Sequence, residues 1–164
     1  MAIEIERKFL VRGEEWRQPL PTRICQGYLN RDKGRTVRVR ISNDKAYLTV
    51  KGPTRGATKL EFEYEIPLSD AEQLLALCDG PILEKNRHVL VHAGLTWEVD
   101  EFLGANAGLV VAEVELEKED QLFERPKWVG VEVTEDARYF NSNLASKPYC
   151  TWQQRDAQIK SELD

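Results

Sequence analysis

The chain has 164 residues, of which 41% are apolar and 31% charged, and its net charge is −5. That length suits a single domain over 1–164 with its own core. The acidic balance excludes general affinity for nucleic acid, which needs a basic surface, but not a small anion held by a local cluster of cations.

The first predicted element is "MAIEIERKFLV", where Glu4, Glu6 and Lys8 recur at every second position. In a strand these side chains share a face, about 7 Å apart, so two carboxylates and an ammonium stand side by side. Alternation continues down the chain. "RTVRVRI" sets Val37, Val39 and Ile41 against Arg38 and Arg40, and "AYLTVKG" sets Ala46, Leu48 and Val50 against Tyr47, Thr49 and Lys51. "KLEFEYEI" opposes Leu60, Phe62, Tyr64 and Ile66 to Glu61, Glu63 and Glu65. "TWEVDEF" opposes Trp97 and Val99 to Glu98 and Asp100, and "VVAEVELE" opposes Val110, Ala112, Val114 and Leu116 to Val111, Glu113, Glu115 and Glu117. Each stretch predicts a strand with one apolar face. Turn signals at Asp32 to Gly34, Asn43 and Asp44, Gly52 and Pro53, and Gly94 separate them at hairpin spacing, which predicts an antiparallel sheet.

Helices are fewer. "LSDAEQLLALCDG" has Ser69 as N-cap, Glu72 to complete a capping box and Gly80 as terminator. "EDQLFE" (Glu119 to Glu124) predicts one or two turns, a further helix begins near Asp136, and the tail after Pro148 reads as helical. The expected class is α+β, mainly antiparallel sheet with helices on its apolar side. No apolar run reaches the length of a membrane span and the acidic start is no signal peptide, so the expected location is the cytoplasm and no membrane partner is implied. Cys25, Cys78 and Cys150, odd in number and far apart, read as reduced thiols.

A charged sheet face ordinarily faces water. Here, however, whole strands carry one sign, whereas exposed sheet faces mix signs and avoid like charges in opposition. The charged faces hold six cations (Lys8, Arg38, Arg40, Lys51, Lys85 and Arg87) against ten acids (Glu4, Glu6, Glu61, Glu63, Glu65, Glu98, Asp100, Glu113, Glu115 and Glu117). If those faces converge, four acids lack partners, and hard oxygen ligands short of counter-charge suit Mg²⁺ or Mn²⁺. The Arg and Lys rows suit phosphate oxygens. Both together suit a metal-bridged polyphosphate.

The ordered motifs resemble the CYTH superfamily, also called triphosphate tunnel metalloenzymes. The hallmark ExExK strand is Glu4, Glu6 and Lys8. The match continues through "QGYL" (Gln26 to Leu29), "VRVR" (Val37 to Arg40), "LTVKG" (Leu48 to Gly52) and "EFEYEI" (Glu61 to Ile66). It then runs through "KNR" (Lys85 to Arg87), "WEVDEF" (Trp97 to Phe102), "AEVELE" (Ala112 to Glu117) and "GVEVTEDARYFNSNLA" (Gly130 to Ala145).

The resemblance implies a closed eight-stranded antiparallel barrel, a tunnel with a charged interior and helices packed outside. It implies that Lys8, Arg38, Arg40, Lys51, Lys85 and Arg87 bind phosphates and that Glu4, Glu6, Glu61, Glu63, Asp100, Glu113 and Glu115 hold divalent metal. In the short bacterial branch a Tyr and Lys pair, here Tyr28 and Lys51, is linked to hydrolysis of inorganic triphosphate to pyrophosphate and phosphate. Lys51 beside Tyr28 would favour the phenolate, with Tyr28 accepting the proton of water. The alternatives are a tunnel-type adenylate cyclase, a thiamine or nucleoside triphosphatase, and a non-catalytic polyphosphate-binding module; a homodimer is left open. His88 and His92 lie too far apart along a strand to share a metal and read as structural, and the four tryptophans read as packing residues.

Overall fold

A computed structural model describes residues 3–152. The alternating stretches form β1 (Ile3–Val11), β2 (Thr22–Asn30), β3 (Thr36–Ser42), β4 (Lys45–Lys51) and β5 (Thr58–Ile66). After a helix come β6 (Asp79–His92), β7 (Leu95–Phe102), β8 (Val110–Glu115) and β9 (Val129–Glu132). Neighbours pair antiparallel in the order β5-β4-β3-β2-β6-β7-β8-β1, and β1 also pairs with β5. The result is a closed eight-stranded barrel with β9 appended to β1. β1 therefore serves different neighbours along its length. Its start closes the barrel through Ile3–Leu60, Glu4–Lys59 and Ile5–Thr58, while Phe9 and Val11 pair with β9.

Outward side chains make the main core. Phe9, Trp97, Val99, Ala112 and Val114 are buried with Trp16, Leu116 and Trp128. The Phe9 and Trp97 ring centroids lie 5.7 Å apart, and those of Trp97 and Trp128 5.5 Å. Among the described residues no helix provides this cover. Residues 119–124, expected to make helical turns, form a turn and then irregular backbone. Phe123 packs on Phe9 and Trp97, and the side chains of Glu119 and Gln121 accept from the N–H groups of Ala57 and Glu117. Those tertiary contacts displace the weak local helical preference.

Helix α1 (Leu68–Ala76) covers β2, β3 and β4, where Val39, Ala46 and Ala71 form a smaller core. The expected capping box is absent: Pro67, not Ser69, is the N-cap, and no side chain caps the helix. Glu72 is then five residues beyond the N-cap instead of three, and proline has no N–H for a side chain to bond. The helix is capped at Leu77, and Gly80, with φ +81°, belongs to the start of β6 rather than to a helix terminus. Near the other end, the Asp136 carboxylate accepts from Arg138 N–H and opens the 3-10 turn Ala137–Tyr139, followed by α2 (Asn141–Ser146). Beyond Pro148 the helical expectation yields one 3-10 turn, Tyr149–Thr151; its remainder lies outside the described residues.

Inward rows change character along the strands. Leu10 follows Lys8, Phe102 follows Asp100, Leu83 precedes Lys85 and Val111 precedes Glu113, each two residues away and so on the same face. These four pack with Tyr139 and with Leu144 of α2, filling part of the lumen with an apolar plug. Cys25, Cys78 and Cys150 are free thiols. Among the described residues no helix is long and apolar enough to cross a membrane.

Between Gln26 and Tyr28, Gly27 is the point where the α1 end meets the barrel wall. A Cβ there would stand 2.8 Å from Cys78 Sγ and 2.8 Å from Ile82 Cδ1. Gly27→Ala should therefore destabilise the fold by about 1–3 kcal/mol through overpacking, read as a lower urea midpoint at unchanged m-value.

Candidate active site

The inward rows enclose a cavity of about 290 Å³. Glu4, Glu6, Lys8, Tyr28, Arg38, Arg40, Lys51, Glu61, Arg87 and Glu113, all singled out in the sequence, line it together. The other expected residues lie elsewhere. Lys85 and Asp100 are buried outside its lining, with Lys85 Nζ 2.7 Å from Asp100 Oδ2. Glu63 accepts from Thr49 Oγ1 at 3.1 Å and stands 3.7 Å from Arg38. Glu115 is exposed, opposite Glu6 in the β1–β8 register.

Three residues that sequence reasoning passed over complete the site. Lys59 lines the cavity, two positions before Glu61 on the same face of β5, so alternation alone could have found it. Gln26, fully buried, donates from Nε2 to the Tyr28 hydroxyl at 3.4 Å and accepts from Arg40 Nε at 2.9 Å. Asn141, at the start of α2, lines the cavity and accepts from Lys85 Nζ at 3.2 Å. No periodic signal marks that contact, because α2 approaches from outside the sheet.

Inside, charge is settled in three ways. Asp100 is fully neutralised: Arg87 donates to both its oxygens, at 2.8 and 2.9 Å, and Lys85 is beside it. Burial opposes its ionisation, yet Arg87 and Lys85 outweigh burial and hold the carboxyl well below the usual range. The acidic wall is contested. Lys59 Nζ lies 3.0 Å from Glu6 and 3.8 Å from Glu4, while Lys51 Nζ lies 3.3 Å from Glu4 and 3.6 Å from Glu61. Even so, burial and then a hydrogen bond with Glu61 raise the Glu4 carboxyl. Glu115 is raised as well, by burial and then by Glu4 and Glu6. Lys8 reaches Glu113 only at 3.7 Å.

The basic wall is short of acceptors. Arg40 has no ion-pair partner among the described residues, and Arg38 Nε is buried without a hydrogen bond. Burial, then Arg38 and Arg87, pulls the Arg40 guanidinium down to about 9, so it is a cation at neutral pH that lacks an anion. Tyr28 departs from expectation. Lys51 turns to Glu4 and Glu61, and no hydrogen bond joins it to Tyr28 among the described residues. Burial pushes the phenol up, against the pull of Arg38, Arg40 and Lys59, which keeps it protonated.

A family model for the CYTH domain matches residues 2–149. The chain belongs to the CYTH family. An inorganic triphosphatase from Acetivibrio thermocellus is 51% identical over 151 residues, covering 91% of this chain and 97% of that one. An inorganic triphosphatase from Nitrosomonas europaea is 37% identical over 150 residues, covering 87% and 96%. In three dimensions this CYTH barrel is similar to the crystal structure of the inorganic triphosphatase NE1496, with a TM-score of 0.64 and 35% identity over 88% of this chain and 95% of that one.

The donor set of the CYTH cavity fits a hard divalent cation. Its acidic wall offers carboxylate oxygens, the hard donors that such a cation takes, and burial and then Glu61 raise the Glu4 carboxyl. Yet among the described residues no three acidic, His or Cys side chains converge into a preformed cage. Lys51 and Lys59 stand among the carboxylates instead.

Glu6 gives this wall a pH signature. Burial disfavours its ionised form, but Lys59 and then Lys8 outweigh burial and hold the carboxyl down at about 2, from an ordinary 4.5. A depressed carboxyl contributes stability above its unfolded value and loses that contribution on acidification. The urea midpoint should fall as pH drops from 4.5 toward 2, and Glu6→Gln should flatten that fall.

Proposed function

We propose that this chain hydrolyses the terminal phosphoanhydride of inorganic triphosphate, giving pyrophosphate and phosphate, with Mg²⁺ or Mn²⁺ as the cofactor. One observation carries the reading: a single cavity holds an Arg40 guanidinium with no ion-pair partner among the described residues, a buried Arg38 whose Nε lacks an acceptor, and carboxylates that share their lysine partners. A bound condensed phosphate with its cation neutralises both at once. The two curated relatives named inorganic triphosphatase support the choice of substrate.

Glu4, Glu6, Glu61 and Glu113 would hold the divalent ion, which supplies Lewis-acid polarisation of phosphoryl oxygens. Glu63 and Glu115 stand off the cavity, and Asp100 serves as the fixed counter-charge that orients Arg87 and Lys85. Arg40 and Arg38 bind phosphate oxygens, with Lys8 and Arg87 beside them, and so stabilise charge that grows on the transferring group and the leaving pyrophosphate. Tyr28 is a proton donor in this scheme. Its oxygen accepts from Gln26, which leaves its hydrogen for an oxygen in the cavity. Free thiols at Cys25, Cys78 and Cys150 support a place in the cytoplasm.

Arg40→Ala should lower kcat/KM for triphosphate by roughly 100-fold to 1000-fold, the scale for removing a preorganised charge donor. Tyr28→Phe should lower kcat by about 100-fold with metal affinity unchanged. The deciding assay incubates the protein with Mg²⁺ or Mn²⁺ and with triphosphate, ATP or thiamine triphosphate, then measures orthophosphate, pyrophosphate and cyclic AMP separately. Phosphate from triphosphate, abolished by a chelator and restored by Mn²⁺, is the expected result. Pyrophosphate with cyclic AMP from ATP would make it a cyclase, and tight binding without turnover a binding module.

A further inference from the structure

Lys59 is a cation of the cavity that the reaction scheme leaves unused, and its position is unusual. It stands on the seam that closes the barrel, directly opposite Glu4 in the β1–β5 register. Its ammonium is within ion-pair distance of both Glu4 and Glu6, at 3.8 and 3.0 Å. Those carboxylates belong to the wall assigned to the divalent ion. Lys59 and its pair of acids are largely enclosed, with side-chain exposures of 13% to 15%. An ammonium and a divalent cation cannot both share two carboxylates at such spacing, because like charges in an enclosed site repel strongly.

We propose that Lys59 is an internal counterion that the divalent cation displaces, and that its release couples metal binding to phosphate binding. This rests on the metal-dependent reading above. With metal absent, Lys59 neutralises Glu6 and part of Glu4, which keeps the acidic wall folded and closed. When the cation takes those carboxylates, the freed ammonium remains in the cavity beside Tyr28 and Arg38, where it gains an attraction for a phosphate oxygen. Each ligand thereby strengthens the other, and by linkage the two effects are equal. Lys51 shares Glu4 but bonds Glu61 as its second partner, so among the described residues only Lys59 bridges the ExExK carboxylates.

The test measures Mn²⁺ affinity of the substrate-free protein by electron paramagnetic resonance for the wild type and Lys59→Met. Without the competing ammonium, Mn²⁺ should bind at least about fivefold more tightly, at the low end of ordinary coupling factors. Binding no tighter than wild type, in a variant whose circular dichroism is unchanged, overturns the proposal. If Lys59→Met fails to fold, the wild type decides. A lysine ¹³Cε resonance, assigned by its loss in Lys59→Arg, should shift saturably with Mg²⁺, and an unmoved resonance overturns the proposal. Wild type that binds neither ion, with or without triphosphate, overturns the metal reading itself and not this coupling alone.

Discussion

Ionic side chains enclosed by a β-barrel have lost most of their water, so each must find its counter-charge within the lumen or leave a deficit that a ligand removes. This chain does both. Asp100, Lys85 and Arg87 form a closed set that needs nothing further. Glu4, Glu6 and Glu61 have lysine partners, but those partners are shared, and burial still raises the Glu4 carboxyl. Arg40 has no ion-pair partner among the described residues, and the Nε of Arg38 has no acceptor. The fixed set orients, the shared set exchanges, and the unpaired set binds. That gradation, rather than the number of charges, distinguishes a functional lumen from a merely polar one.

The apolar exterior is what makes such an interior tolerable. Phe9 of β1 and Trp97 of β7 face outward, each one residue away from the charged row of its strand, and Trp128 packs against Trp97. At Leu10, Leu83, Phe102 and Val111 the inward rows become apolar and join Leu144 of α2. Lys85 and Asp100 therefore lie next to an apolar plug, where the local dielectric is low and their pairing with Arg87 is strong. α2 contributes to both regions, Leu144 to the plug and Asn141 to the cavity.

Much of this was legible in the sequence because a strand has only two faces. Period-two alternation was enough to put Arg38 and Arg40 on one side and Val37 and Val39 on the other, whereas closure of the barrel was implied by the resemblance to the CYTH superfamily. What alternation does not carry is the relation between strands far apart in the chain. Lys59 was passed over although it continues the row of Glu61, because its meaning comes from Glu4 across the seam. The relation of Tyr28 to Lys51 has the same origin: both line the cavity, but Lys51 finds acids nearer to it. Local helix signals were weaker guides. Ser69 and Glu72 spell a capping box, yet Pro67 sets the helix start. In residues 119–124 the aromatic surface offered by Phe9 and Trp97 outcompetes a short helix for Phe123.

Gly27 shows how thin the division between inside and outside is. The backbone at this point has Gln26 and Tyr28 on its lumenal side and, on its other side, Cys78 and Ile82 within van der Waals reach of where a side chain would begin. Nothing lies between the two but one peptide layer. The lumen thus has no mechanical buffer, and its geometry is inherited directly from whatever rests on the exterior. Families built this way are free to vary in their loops and hairpin tips, while any inserted or deleted residue within a strand would turn charges outward and hydrocarbon inward together.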